Sequence, residues 1–223
     1  MNISSQAKKR RDAIQQGIYC VIDPFVRLLI RMGVTPNMVT TVGLLGNLAA
    51  AALIVYAALN APFGHFALLG VSGAVILFSS LFDMLDGRLA RTGNMVSRFG
   101  AFYDSVLDRY QELATLSAIT FYFMHFHYTW AALATFLSII GSVMVSYVRA
   151  RAEGLGIECK MGLMQRPERV VLTVFGLLLI GILGNVVPFD PIYLLALPQV
   201  LIALLANYTA AMRIRHVYRA MQQ

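Results

Sequence analysis

Six mostly apolar runs, each long enough to cross about 30 Å of hydrocarbon as a helix, dominate this 223-residue chain. In such a solvent every backbone N–H and C=O must find a partner within its own segment, so runs of this kind fold as helices and not as open strands. They lie near residues 37–59, 64–87, 99–123, 129–152, 167–187 and 191–215. The chain is 58% apolar and only 13% charged, where a soluble domain would be about a quarter charged. The sequence therefore predicts an all-α polytopic membrane protein. Residues 35–223 form one domain of six transmembrane helices, and residues 1–34 form a cytoplasmic N-terminus with a juxtamembrane amphipathic helix. Asn60-Ala61-Pro62-Phe63-Gly64 and Val187-Pro188-Phe189-Asp190-Pro191 read as turns.

The basic residues orient the bundle. Lys8, Lys9, Arg10, Arg11, Arg27 and Arg31 precede the first span, Arg88, Arg91 and Arg98 follow the second, and Arg149, Arg151, Lys160, Arg166 and Arg169 follow the fourth. Arg213, Arg215 and Arg219 close the last, while the connections near 60–64, 124–128 and 187–191 hold no Lys or Arg. The positive-inside rule puts both termini in the cytoplasm of a multi-pass cell-membrane protein. The net charge of +7 lies in patches between apolar runs, which points to membrane lipids or a phosphorylated substrate and away from nucleic acid. Residues 13–32 are too charged to cross. Asp23, Arg27 and Arg31 make a polar stripe opposite Ile22, Phe25, Val26, Leu29 and Ile30, so this segment reads as an amphipathic helix on the cytoplasmic membrane surface. A helix packed on the bundle is the alternative. The absence of a small-residue cleavage site argues against a signal peptide, and Cys20 and Cys159 read as ordinary thiols.

Against this apolar background four carboxylates stand out. Asp83 and Asp86 end the second span three residues apart, and Asp104 and Asp108 open the third four apart, so each pair shares a helix face. Two antiparallel helices joined by one loop bring all four to one depth. Carboxylates near hydrocarbon are costly unless paired, hydrated or bound to a cation. Facing pairs suit Mg²⁺ or Mn²⁺, and two such ions can clamp a phosphoryl group undergoing displacement. Gly87 permits close backbone approach, Arg91 suits phosphate charge, Ser97 offers a hydroxyl, and Gly100 allows close helix approach. An alternative pairs the aspartates with Arg88, Arg91, Arg98 and Arg109, which explains single residues but not the repeated spacing. Arg109 with Glu112 reads as a helix-internal ion pair.

The run Asp83-x2-Asp86-Gly87-x2-Ala90-Arg91-x8-Gly100-x3-Asp104-x3-Asp108 resembles the full signature of the CDP-alcohol phosphotransferase family. Pro36-Asn37-Met38-Val39-Thr40 is similar to that family's Pro-Asn-x-x-Thr entry, and the resemblance extends over nearly the whole chain. It implies transfer of a phosphatidyl-type group from a CDP-lipid to an alcohol, with release of CMP. It further implies Asp83, Asp86, Asp104 and Asp108 as ligands of two Mg²⁺ or Mn²⁺ ions, with Asp108 also the general base. Asn37, Thr40, Gly87, Arg91 and Ser97 would hold the CDP moiety, and a homodimer is the family expectation.

The acceptor must be read elsewhere. Ser146-Tyr147-Val148-Arg149-Ala150-Arg151-Ala152-Glu153 followed by Gln165-Arg166-Pro167-Glu168-Arg169 gathers arginines that either meet lipid headgroups or hold a second anionic group. The stretch is similar to the phosphatidylinositol-phosphate and archaetidylinositol-phosphate synthases within the family. That resemblance implies inositol phosphate as acceptor, with Arg149, Arg169 and Arg213 on its phosphate. Many relatives carry Lys where Arg149 stands, which keeps glycerol 3-phosphate, serine or another alcohol open. Arg151 and Glu153 are either site residues or a structural pair. A divalent-metal transporter is the reading from a different class, disfavoured because the carboxylates gather on one side. His125 and His127 lie across the membrane from them, near Tyr122, Tyr128 and Trp130, and read as interfacial.

Overall fold

The computed structural model describes residues 23–222. Among them the chain is entirely helical: α1 (residues 23–31), α2 (Pro36–Asn60), α3 (Ala67–Thr92), α4 (Arg98–His125), α5 (Thr129–Gly154), α6 (Arg166–Leu183) and α7 (Ile192–Ala220). The six long helices fall where the apolar runs predict them, within a few residues. The first ten residues of the predicted juxtamembrane helix, 13–22, lie outside the described residues.

Local chemistry explains the boundaries. Thr35 caps α2 and receives the Met38 N–H on its hydroxyl at 3.4 Å, with Pro36 at the first helical position, where the missing N–H costs nothing. Ser97 caps α4 by accepting the Gly100 N–H at 2.9 Å. At the other ends, left-handed residues turn the chain. Gly33 (φ 73°) closes α1 with bonds from its own N–H to Ile30 O and from Val34 N to Leu29 O. His127 (φ 61°) does the same after α4, with its N–H on Met124 O and Tyr128 N on Phe123 O.

Four of the helices are long and apolar enough to cross a membrane: α2, α3, α5 and α7. Of the other two long helices, α4 carries Asp104, Asp108, Arg109 and Glu112 along its first half and the short α6 opens with Arg166, Glu168 and Arg169. Large apolar side chains such as Leu45, Phe78, Leu133, Val171, Ile182 and Leu204 stand exposed, as expected of surfaces that face lipid.

The chain forms two compact units. One comprises the described part of Met1–Gly43 together with Ser80–Leu107. Its small core joins Val26 of α1, Val39 of α2 and Leu89 of α3, backed by Leu29, Ile30, Phe82 and Leu85. Phe25, expected on the covered face of α1, is about half exposed, as are Leu28 and Met32. The other unit comprises Leu44–Ser79 and Asp108–Gln223. Ile54, Leu69, Ile119, Phe123, Leu177, Ile180 and Leu195 are fully buried in its core. There α3 and α6 meet backbone to backbone: a Cβ on Gly70 would sit 3.0 Å from the Gly181 Cα. Only paired glycines allow that approach. Helix α7 packs along α5 and α6.

Candidate functional site

In the first unit the start of α2, the end of α3 and the start of α4 surround a cavity of about 240 Å³. Asn37 and Thr40 line it from α2, Asp86, Gly87, Ala90 and Arg91 from α3, and Ser97, Gly100, Ala101 and Asp104 from the α4 entry. All five residues expected to hold a CDP moiety line this one cavity, and so do two of the four aspartates. The caps described above set this arrangement, because Thr35 and Ser97 fix where α2 and α4 begin.

Asp86 is buried, and its Oδ2 accepts a 2.6 Å hydrogen bond from the Thr40 hydroxyl. Thr40, predicted as a substrate contact, thus also orients a carboxylate. Ser97 likewise has two capacities: its oxygen accepts the Gly100 N–H, and its hydroxyl can still rotate to donate to a ligand. Gly87 is open on the cavity side, where an added Cβ would come no nearer than 3.8 Å, to Arg91 Nη2. At Gly100 a Cβ would press on Ser97 Oγ at 3.0 Å and Asn37 Oδ1 at 3.4 Å. Arg88 takes no part in the cavity. Its guanidinium holds Asp23 of α1 through two 2.8 Å bonds, and that pairing keeps the Asp23 carboxyl below its usual value.

Asp108 belongs to the second unit, where Arg166 Nη1 lies 2.8 Å from its Oδ1 and Arg109 Nη1 lies 3.8 Å from its Oδ2. The contact with Asp108 Oδ1 is an ion pair, whereas Arg166 Nη2 donates a hydrogen bond to Gln111 Oε1 at 2.7 Å. The predicted Arg109–Glu112 pair does not form. Glu112 instead receives both prongs of Arg169, at 2.5 Å and 2.9 Å. Arg169 is 2% exposed while the Arg109 side chain is 37% exposed, so the buried guanidinium has the greater need of a counter-charge.

The three arginines predicted for the acceptor phosphate sit in contrasting settings. Arg169 also donates to the Met164 carbonyl at 3.1 Å. Arg213 is buried and donates to Met161 O at 2.8 Å and Val145 O at 2.6 Å. Arg149 is half-exposed and pairs with Glu153 at 2.9 Å, one helical turn on. Glu153 therefore takes Arg149, not Arg151, as its partner. The residues sequence reasoning missed are Arg166 and Gln111. Arg166 was visible only as one of several arginines in a loop, and nothing in the spacing singled out Gln111.

Among the described residues no three His, Cys, Asp or Glu side chains converge as a ready-made metal cage. The donor set of the cavity still suits a hard cation. Asp86 and Asp104 line it as carboxylates, and the Thr40 bond uses one of the several lone pairs of Asp86, leaving oxygen donors of the kind Mg²⁺ and Mn²⁺ take.

The family model described as CDP-alcohol phosphatidyltransferase matches residues 33–212. The chain is 33% identical over 171 residues to the phosphatidylinositol phosphate synthase of Corynebacterium glutamicum, covering 76% of this chain and 73% of that one. It is 36% identical over 168 residues to the phosphatidylinositol phosphate synthase of Mycobacteroides abscessus, covering 74% and 71%. Among solved structures, the Mycobacterium tuberculosis phosphatidylinositol phosphate synthase with CDP-DAG bound superposes with a TM-score of 0.74 at 29% identity, over 87% of this chain and 92% of that one. The same enzyme in complex with manganese and citrate gives 0.73 at 30% identity, over 87% and 88%.

Proposed function

This chain belongs to the CDP-alcohol phosphatidyltransferase family, and we propose that it transfers a phosphatidyl group from CDP-diacylglycerol to inositol phosphate, releasing CMP. The observation that carries the reading is the cavity in which Asn37, Thr40, Gly87, Arg91 and Ser97 meet Asp86 and Asp104. The acceptor is argued from the phosphatidylinositol phosphate synthases to which the chain is similar.

In this reading the pyrophosphate lies over Gly87, where no side chain blocks it, with Arg91 neutralising its charge and Ser97 donating to it. Asp83, Asp86, Asp104 and Asp108 hold the divalent cations, two in number. Bound Mg²⁺ or Mn²⁺ supplies charge neutralisation at the pyrophosphate. Asp108 accepts the proton of the acceptor hydroxyl. The hydroxyl oxygen forms a bond to the lipid-side phosphorus, the bond from that phosphorus to the CMP oxygen breaks, and CMP leaves with the electron pair. Arg149 receives the acceptor's own phosphate at the protein surface, and Arg169 and Arg213 complete the charge behind it. Six helices, α2 to α7, span the membrane with both termini cytoplasmic, residues 1–34 serve as the juxtamembrane region of a 35–223 transferase domain, and two copies form a dimer.

The test is CMP release by the purified protein, given CDP-diacylglycerol and a panel of alcohols, with Mg²⁺, Mn²⁺ or chelator. Release with inositol phosphate and not with glycerol 3-phosphate or serine is expected. Release only with one of the latter two reassigns the acceptor, and release with no alcohol sinks the activity. Asp108→Asn is expected to abolish turnover while retaining nucleotide binding, and wild-type turnover by that variant overturns its role as base.

A further inference from the structure

A polar relay surrounds Asp108 in the second unit. Arg166 is the first residue of α6, and its guanidinium spans two groups on α4: Nη1 is 2.8 Å from Asp108 Oδ1 and Nη2 is 2.7 Å from Gln111 Oε1. Gln111 is 3% exposed, and its oxygen also accepts from Asn47 Nδ2 at 3.4 Å. Arg166 can only donate, so the Gln111 amide keeps its oxygen toward it. Asp108 and Gln111 are three apart and share a helix face, which is why one planar fork reaches both. Arg169, one turn further along α6, is committed to Glu112 and Met164.

We infer that Arg166 is a positioning residue for the base: it aims the Asp108 carboxylate and is itself aimed by Gln111. The inference rests on the reading of Asp108 as the base. A carboxylate on a helix turns about two side-chain bonds, and proton transfer needs it within hydrogen-bond reach of the acceptor hydroxyl. A guanidinium anchored at its second prong restricts that rotation, where a lysine, a point charge on a flexible stem, would not. The same positive charge opposes a divalent cation at Asp108. Arg166 therefore favours turnover and disfavours metal, which separates it from a residue that merely holds the fold.

The test uses the purified full-length protein. Turnover of CDP-diacylglycerol with inositol phosphate is measured beside the affinity for Mn²⁺ alone, titrated without substrates. Arg166→Gln is expected to lower kcat by about 10- to 100-fold, the range a misplaced catalytic group costs. It should leave the KM for CDP-diacylglycerol within about threefold and bind Mn²⁺ as tightly as the wild type or more tightly. Arg166→Lys should recover part of kcat. Gln111→Leu, which keeps the charge and removes its anchor, should show the same split at smaller amplitude, so these two variants decide the question if Arg166→Gln fails to fold. Unchanged kcat in Arg166→Gln overturns the inference, as does unchanged kcat in both other variants where Arg166→Gln does not fold, and so does a kcat loss matched by an equal loss of Mn²⁺ and CDP-lipid binding. Asp108→Asn distinguishes the layers: if it turns over normally the base assignment beneath the inference fails, and if it is inactive beside a normal Arg166→Gln only the inference fails.

Discussion

The Thr40 hydroxyl has one proton and two acceptors in reach, Asp86 Oδ2 at 2.6 Å and the Pro36 carbonyl at 3.0 Å. The shorter bond, to a buried carboxylate, dominates, and it makes Thr40 part of that carboxylate's setting. Gly87 offers a cleaner experiment. An added methyl meets nothing closer than 3.8 Å, and alanine is the better helix former by about 1 kcal/mol. Gly87→Ala is therefore expected to keep or raise the melting temperature while raising the KM for the CDP-lipid about tenfold or more, because only a ligand would feel the methyl. A drop in melting temperature with unchanged KM would count against a pyrophosphate at this position.

A few buried or interfacial polar contacts join the otherwise apolar helices. Arg169 of α6 and Glu112 of α4 form a two-pronged pair, with side-chain exposures of 2% and 8%. Glu112→Gln strands a buried guanidinium and should cost roughly 3–5 kcal/mol, read as a lower melting temperature. Replacing both partners by methionine should recover most of that loss, since two apolar side chains leave no charge unpaired. At the connection after α4, the Tyr128 hydroxyl donates to Asp190 Oδ2 at 2.8 Å, and Asp190 Oδ1 accepts the Ile192 N–H at 3.0 Å. Burial first, and then the Asp190 carboxylate, push the Tyr128 phenol up from 10.0 to about 12. The folded state thus keeps a proton that the unfolded chain releases near pH 10. This stability is fully present below pH 10 and is lost as pH climbs toward 12. Melting temperature followed from pH 9 to 11.5 should fall less steeply in Tyr128→Phe than in the wild type.

At the scale of the whole molecule, the proposed function assigns the activity to a divalent cation and the fold to the helices. Chelator should abolish CMP release, and added Mg²⁺ or Mn²⁺ should restore it, while the helical circular dichroism stays unchanged; helix loss on chelation would show a structural metal instead. The helices were legible in the sequence because apolar runs of spanning length have no other way to pair their backbone groups. Thr35-Pro36 and Ser97 marked two of the starts by ordinary capping chemistry. The residues that line the cavity were named through the family resemblance, and Asn37, Thr40, Asp86, Gly87, Arg91, Ser97 and Asp104 do sit within a turn or two of helix ends. The charge partners were not legible. Spacing suggested Arg109 for Glu112, and burial gave it Arg169; Arg88 looked available to the aspartates and took Asp23, 65 residues away. By itself the sequence determined the helices, because apolar period and capping chemistry are local, and its signature carried the resemblance from which the family chemistry was expected. Only the tertiary structure decided which arginine meets which carboxylate, and hence that Arg166 attends Asp108, because a buried charge pairs with whatever counter-charge packing brings within reach, however distant in the chain.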